Sequence, residues 1–341
     1  MPLTFAYFGS PDFSARFLEQ LLTDKETKRL IEVKLVVTQP DKPVGRKQIL
    51  TPTPVKLIAE KHKIKIKYKI TNPKFQIPNN IQIPNSKLHL EFGAWCLEFG
   101  DLNGIDFALV YAYNQIIPKD YLSLPRYGFW CIHPSLLPKY RGPSPIATAL
   151  INGDKETGVS IFKMDEKIDH GPIIAQEKTS ITPTDLRPDL ERKLTDLAFV
   201  MFKKILLKSE DTFFETIARG SHRGVAVEKN GIELLKEQNH KQATYTKKLK
   251  KEDGFISFEN LKLKIENSPE KLFNLFRGLY PWPGLWTILP NGKRLKITGL
   301  QLQPTTYSLQ PTHYKLQPTK VQLEGKKEVD FATFNRAYKV F

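Results

Sequence analysis

The first 38 residues read as strand, helix, strand, and that order commits the chain to a parallel sheet. Leu3-Thr4-Phe5-Ala6-Tyr7-Phe8 is a short apolar run closed by Gly9 and Ser10, the pattern of a strand buried on both faces. Ser10-Pro11-Asp12 predicts a helix start, with Ser10 as the cap and proline in the first turn. Phe13, Phe17, Leu18, Leu21 and Leu22 follow at helical spacing, and Val33–Thr38 is the next strand. A helix that joins two such strands makes a βαβ unit, the building block of α/β folds.

The pattern breaks at residues 39–54, where four prolines and Gly45 predict an irregular loop carrying Lys42, Arg46 and Lys47. Val55–Lys61 predicts a helix. The α/β pattern resumes with Phe107–Tyr111 and Phe129–His133, a helix near 143–152, strands at Val159–Phe162 and Ile173–Lys178, and a long amphipathic helix over 185–208. Beyond residue 240 the runs shorten, as in Gly254–Phe258 and Leu295–Thr298, which predicts a small β-rich domain. The expected division is therefore 1–208, a linker at 209–235, and 236–341.

Two segments fit neither pattern. In 70–104, Gln76-Ile77-Pro78-Asn79 recurs at 82–85 and Leu90-Glu91-Phe92-Gly93 recurs at 97–100, so the segment reads as an enlarged surface insertion. Leu-Gln-Pro-Thr occurs at 302, 309 and 316. Proline in each copy excludes a heptad coiled coil and leaves an extended hairpin tip or a loose loop.

Charge is the first functional clue. The 341 residues hold 52 Lys+Arg against 36 Asp+Glu, a net +16, and residues 209–341 supply 22 of the cations against 14 acids. Such a balance suits a polyanionic partner. A hydrophobic content of 40% with only two cysteines excludes a disordered chain and a disulfide scaffold. Cys96 and Cys131 have no metal-ligand spacing. No run of 18 apolar residues predicts a membrane helix, and Met1-Pro2-Leu3-Thr4 has no basic leader pattern, so the expected address is the cytoplasm.

His133 closes a buried strand, and open α/β sheets bind ligands at strand carboxyl ends. An imidazole at such a place can take up and release protons. A carboxylate beside it would stabilise the imidazolium. Asp165, Glu166 and Asp169, in the loop before Gly171-Pro172, are the candidates, and spacing does not choose among them. Ser135–Pro143 is a loop feeding a helix N-terminus, where backbone N–H groups, Lys139 and Arg141 suit an anion. No glycine-rich dinucleotide or P-loop signature is present.

Several motifs together carry a resemblance. They are Phe8-Gly9-Ser10-Pro11-Asp12-Phe13, Thr38-Gln39-Pro40-Asp41-Lys42-Pro43-Val44-Gly45-Arg46, His133-Pro134-Ser135-Leu136-Leu137-Pro138-Lys139-Tyr140-Arg141-Gly142, Gly158-Val159-Ser160, and Met164-Asp165 with Ile168-Asp169-His170-Gly171-Pro172. Further on come Ala243-Thr244-Tyr245-Thr246-Lys247-Lys248-Leu249, Arg277-Gly278-Leu279-Tyr280-Pro281-Trp282-Pro283-Gly284, and Gln322-Leu323-Glu324-Gly325-Lys326-Lys327. The chain resembles the folate-dependent formyltransferases, and within them the methionyl-tRNA formyltransferase family. The His-Pro-Ser-Leu-Leu-Pro and Asp-x-Gly-Pro motifs are common to the wider group. The basic 39–46 loop and the Pro-Trp-Pro segment are more specific to the tRNA enzymes.

The resemblance implies a Rossmann-like α/β formyltransferase domain and a C-terminal β-barrel of the OB type. It implies transfer of a formyl group from 10-formyltetrahydrofolate to the α-amino group of methionyl-initiator tRNA, through a tetrahedral intermediate and without a metal. It implies catalytic roles for His133 and Asp169. It implies a folate site at Tyr113, Asn114, Ile116, Ser135, Leu136, Leu137 and Pro138. It implies tRNA contacts at Lys42, Arg46, Lys47, Lys247 and Lys248. The expected state is a monomer with no membrane partner.

Two positions depart from the pattern. The catalytic asparagine expected two residues before the histidine is Cys131, and residues two apart on a strand share a face. A thiol is a weak donor. Cys131 fits a slower enzyme, a tRNA- or folate-binding protein without turnover, or a thiol that takes the formyl group as a thioester. Direct aminolysis needs no such thioester. Asn114 stands where a glycine is usual, and asparagine visits left-handed conformations. A formyltransferase for a small amine, such as an amino sugar or glycinamide ribonucleotide, shares the catalytic motifs but leaves the basic loop unexplained.

Overall fold

The computed structural model describes residues 2–45, 47–70, 96–208, 214, 228–229, 232–233, 235–304 and 314–339. Arg46, the repeats at 76–85, most of the 209–235 linker and the middle Leu-Gln-Pro-Thr copy lie outside the described residues. The chain packs as two compact units. One holds 1–141, 158–178 and 193–244; the other holds 142–157, 179–192 and 245–341. The packing interleaves the chain where the sequence reading divides it once.

The N-terminal pattern becomes β1 (Leu3–Gly9), α1 (Asp12–Thr23) and β2 (Ile31–Val37). Ser10 does not cap α1. Its hydroxyl instead accepts the backbone N–H of Gln39 at 3.2 Å, tying the end of β1 to the end of β2. The 39–54 segment is more regular than its prolines suggest. It forms a ribbon of β3 (Lys42–Val44) and β4 (Ile49–Thr51), turned at Gly45, before α2 (Pro54–Lys61). A two-stranded ribbon has free edges that tolerate Pro43. Thr53 caps α2 by accepting the N–H of Lys56.

β5 (Lys65–Lys67), β6 (Phe107–Tyr111) and β7 (Phe129–His133) follow, then α3 (Pro145–Asn152), β8 (Glu156–Lys163), β9 (Ile173–Ser180) and α4 (Arg187–Lys208). The seven-stranded sheet runs β9-β8-β7-β6-β1-β2-β5. β5, β2, β1, β6 and β7 run parallel to one another, and β8 is antiparallel to β7. The chain steps outward from β1 to β2 and β5, then returns to place β6 on the other side of β1. That reversal puts the switch point between β1 and β6, where such sheets bind ligands.

Period-two alternation sets the two faces of β7. Trp130 stacks on Phe107, which stacks on Phe5, with ring centroids 5.1 and 5.2 Å apart. Phe129 points the other way, against Phe8 at 5.2 Å, and Cys131 packs on that second face. The end of the 70–104 insertion is not a surface feature, because Leu97 and Leu102 are buried in this same cluster.

The second unit carries α5 (Phe258–Asn267) and α6 (Pro269–Leu279). The sequence reading missed both, although Ser257 caps α5 and Ser268-Pro269 opens α6. Gly278 lets α6 lie against α3: a Cβ there would stand 2.7 Å from the Ala147 carbonyl oxygen. β10 (Leu285–Ile288), β11 (Arg294–Pro304), β12 (Tyr314–Leu323) and β13 (Glu328–Asp330) form a four-stranded antiparallel sheet, and α7 (Phe331–Tyr338) follows. This strand-rich arrangement is consistent with a β-barrel domain. Of the Leu-Gln-Pro-Thr copies, the described parts of the first and last lie on the antiparallel strands β11 and β12, where Leu302 pairs with Leu316.

Candidate functional site

β7 delivers His133 to the carboxyl end of the sheet, where the ring is 5% exposed. Its Nε2 lies 2.9 Å from the carbonyl oxygen of Tyr140. A carbonyl only accepts, so Nε2 carries the proton. In the neutral ring Nδ1 is then the basic nitrogen, and it faces Asp169 Oδ2 at 3.6 Å. That spacing is too long for a direct hydrogen bond and short enough for strong attraction once the ring is protonated.

The geometry also chooses among the three loop acids. Asp165 is turned to His170 Nδ1 at 2.6 Å, and Glu166 pairs with Lys119 at 2.5 Å. Only Asp169 of the three is paired with His133. It does so from a left-handed backbone, φ +48°, a conformation that costs a non-glycine residue about 1–2 kcal/mol.

Ser160 on β8 holds the loop after His133. Its hydroxyl donates to the Ser135 carbonyl at 2.7 Å and accepts the Leu137 N–H at 3.1 Å and the Gln176 amide at 2.8 Å. Ser135 itself donates to the Lys139 carbonyl at 2.6 Å. Thr244 then fixes 138–141, accepting the Tyr140 N–H on its hydroxyl and the Arg141 N–H on its carbonyl, each at 2.8 Å. We expect Ser160→Ala to strand several buried polar groups and to lower stability by about 1–3 kcal/mol. Urea unfolding checks this as a lower midpoint with an unchanged slope.

Of the expected folate-site residues, Ser135, Leu137 and Tyr113 are buried, and the Ser135 hydroxyl is spent within the loop. Leu136 and Pro138 are half-buried, while Asn114 and Ile116 are exposed. Asn114 keeps a left-handed backbone, φ +62°, so the conformation open to glycine is retained. Cys131 is half-buried among Leu137, Phe162, Met164 and Ile173, and its thiol is directed to the Ile132 carbonyl at 3.7 Å. Burial pushes the thiol pKa well up, and the Asp169 carboxylate adds to the effect. A thioester route needs the thiolate, which this environment suppresses.

Lys42 and Lys47 are exposed on the β3–β4 ribbon beside Val44, Ile49 and Leu50, which are 55–64% exposed. Lys247 and Lys248 are exposed in the second unit. Sequence reasoning gave no role to Ser160, Tyr140 or Thr244, although all three lie in the quoted motifs. Gln176 and Gln238 had no local signal at all. Among the described residues, no helix is long and apolar enough to cross a membrane.

Residues 3–206 match the formyl transferase family, and residues 248–333 match the formyl transferase C-terminal domain. The chain is 40% identical to a methionyl-tRNA formyltransferase of Thermotoga maritima over 76% of its own length and 70% of that protein. It is 37% identical to one of Caldicellulosiruptor saccharolyticus over 87% and 79%, respectively. Its fold is similar to that of a sugar 3N-formyl transferase solved in the presence of dTDP and 5-N-formyl-THF, with a TM-score of 0.55 at 17% identity, covering 96% of this chain and all of that one. An N-formyltransferase of Helicobacter canadensis gives 0.54 at 16% identity, with 94% of each chain covered.

Proposed function

The chain belongs to the methionyl-tRNA formyltransferase family, and on that premise we propose that it formylates the α-amino group of methionyl-initiator tRNA. The supporting observation is identity of 35–40% with enzymes of that name, running across both family domains. 10-Formyltetrahydrofolate supplies the formyl carbon. Leu136, Pro138, Asn114 and Ile116, at the open side of the sheet's carboxyl end, are the residues that would hold it.

The chain's own residues handle the proton. The attacking amine must be neutral; as its new C–N bond forms, the bond from the formyl carbon to the tetrahydrofolate nitrogen breaks, and the proton the amine loses is the one that nitrogen finally gains. His133 Nδ1 takes that proton, because Nε2 is already committed to Tyr140. Asp169 stabilises the resulting imidazolium across 3.6 Å without itself becoming protonated. Burial keeps the pair out of bulk water, which strengthens the attraction.

Lys42, Arg46, Lys47, Lys247 and Lys248 are the proposed tRNA contacts, and the net +16 serves to draw in the polyanion. The barrel is of the OB type, and the enzyme works as a cytoplasmic monomer. The test is a single-turnover reaction with methionyl-tRNA and 10-formyltetrahydrofolate, together with a salt titration of tRNA binding. Formyl-methionyl-tRNA is the expected product. Replacing Lys247 and Lys248 by alanine should reduce the slope of log affinity against log salt by about 2 in all. Absence of formyl-methionyl-tRNA would overturn the reading.

A further inference from the structure

We propose that Gln238 is a positioning residue for formyl transfer, tying the loop that holds His133 to the turn that presents Asp169. The inference rests on the functional reading above. Gln238 is 5% exposed. Its Oε1 accepts from Arg141 Nε at 3.2 Å and Nη2 at 2.6 Å. Its Nε2 donates to the carbonyl oxygens of Asp169 at 3.0 Å and Gly171 at 2.8 Å. An amide has two donor hydrogens and two acceptor lone pairs, and here all four are engaged.

The two ends of this amide reach the two groups that face His133. Arg141 follows Tyr140, whose carbonyl fixes the protonated Nε2. Asp169 faces Nδ1. A single buried side chain therefore spans both halves of the site. Arg141 is a firm anchor: it is 2% exposed, its N–H bonds the Thr244 carbonyl at 2.8 Å, and its Nη2 donates to His240 Nδ1 at 2.9 Å.

The Asp169 turn needs such an anchor. Asp169 is held in a left-handed conformation that a free loop would leave. At the other end of the turn Gly171 is pressed against the backbone, since a Cβ there would lie 1.9 Å from the Lys163 carbonyl oxygen. Gln238 bonds the turn at both points. Without those two bonds the Asp169 carboxylate is free to drift from the ring, and a misplacement of about 1 Å at a reacting group costs on the order of 10²-fold in rate.

Gln238→Glu separates the two ends of the amide. The carboxylate still accepts from Arg141, but both donors to the turn are gone. The expected result is a fall of about 10–100-fold in the single-turnover rate constant. The KM values for both substrates should stay within about threefold, as for an interaction that matters in the transition state. In an Asp169→Ala background the same change should cost nothing further, because its effect passes through Asp169. Gln238→Met, of similar length and without donors, provides the same reading if the glutamate variant does not fold. Wild-type rates in Gln238→Glu, or an equal loss in both backgrounds, would overturn the proposal. A wild-type chain that makes no formyl-methionyl-tRNA would instead overturn the functional reading beneath it.

Discussion

His133→Ala lowers the single-turnover rate of formyl transfer by about 10³-fold, within the range for a positioned general base. The expected loss is in the chemical step. His133 is 5% exposed and bonded to the Tyr140 carbonyl, so it offers nothing to a macromolecule at the surface. The dissociation constant for tRNA, measured at fixed salt, should therefore be unchanged. Asp169→Ala should reproduce most of the loss, because the carboxylate acts only on the protonated ring. The two changes together should cost little more than His133→Ala alone. A variant lacking His133 that keeps most of the wild-type rate would remove the histidine from the mechanism.

Cys131→Asn should act in the opposite direction. Cys131 shares a strand face with His133 and ends in a thiol directed at the Ile132 carbonyl, so it offers the developing oxyanion no strong donor. Loss of one such donor typically costs about 10²–10³ in rate. Restoring an amide at this position is expected to raise the single-turnover rate by about 10²-fold. The amide must displace part of an apolar lining of Leu137, Phe162, Met164 and Ile173, so some stability is lost. Unfolding in urea measures that loss separately from the rate. An unchanged rate would mean that transfer in this chain draws on other donors. Iodoacetamide gives a parallel reading: a thiol held protonated by burial alkylates slowly at neutral pH.

The parts of the fold legible in the sequence are those set by local pattern. Phe5–Phe8, Phe107–Tyr111 and Phe129–His133 are continuous apolar runs, and all became inner strands of the sheet. His133 was legible because it closes such a run. The choice of Asp169 over Asp165 and Glu166 was not, because it depends on which carboxylates His170 and Lys119 capture. Helices α5 and α6 are not legible from the short apolar runs around them, although Ser257 and Ser268-Pro269 mark their starts. Ser10 looked like a helix cap because it precedes Pro11, yet its hydroxyl found a partner in Gln39. Gln238 was invisible for a different reason. Its importance comes from spanning Arg141 and the Asp169 turn, 97 and 67–69 residues away in the chain.

The pairing of Leu302 with Leu316 bears on how such a chain changes over generations. Two copies of one tetrapeptide meet only at their first residues, on a ribbon whose base, Leu295 against Leu323 and Ile297 against Val321, is buried. Seven residues is an odd number, so an added copy within either strand would turn every later side chain to the wrong face. Added between the strands, the same copy leaves every pair below Leu302 and Leu316 in register. A copy added or lost in this stretch is therefore compatible with the buried base of the ribbon only where it falls between the two strands.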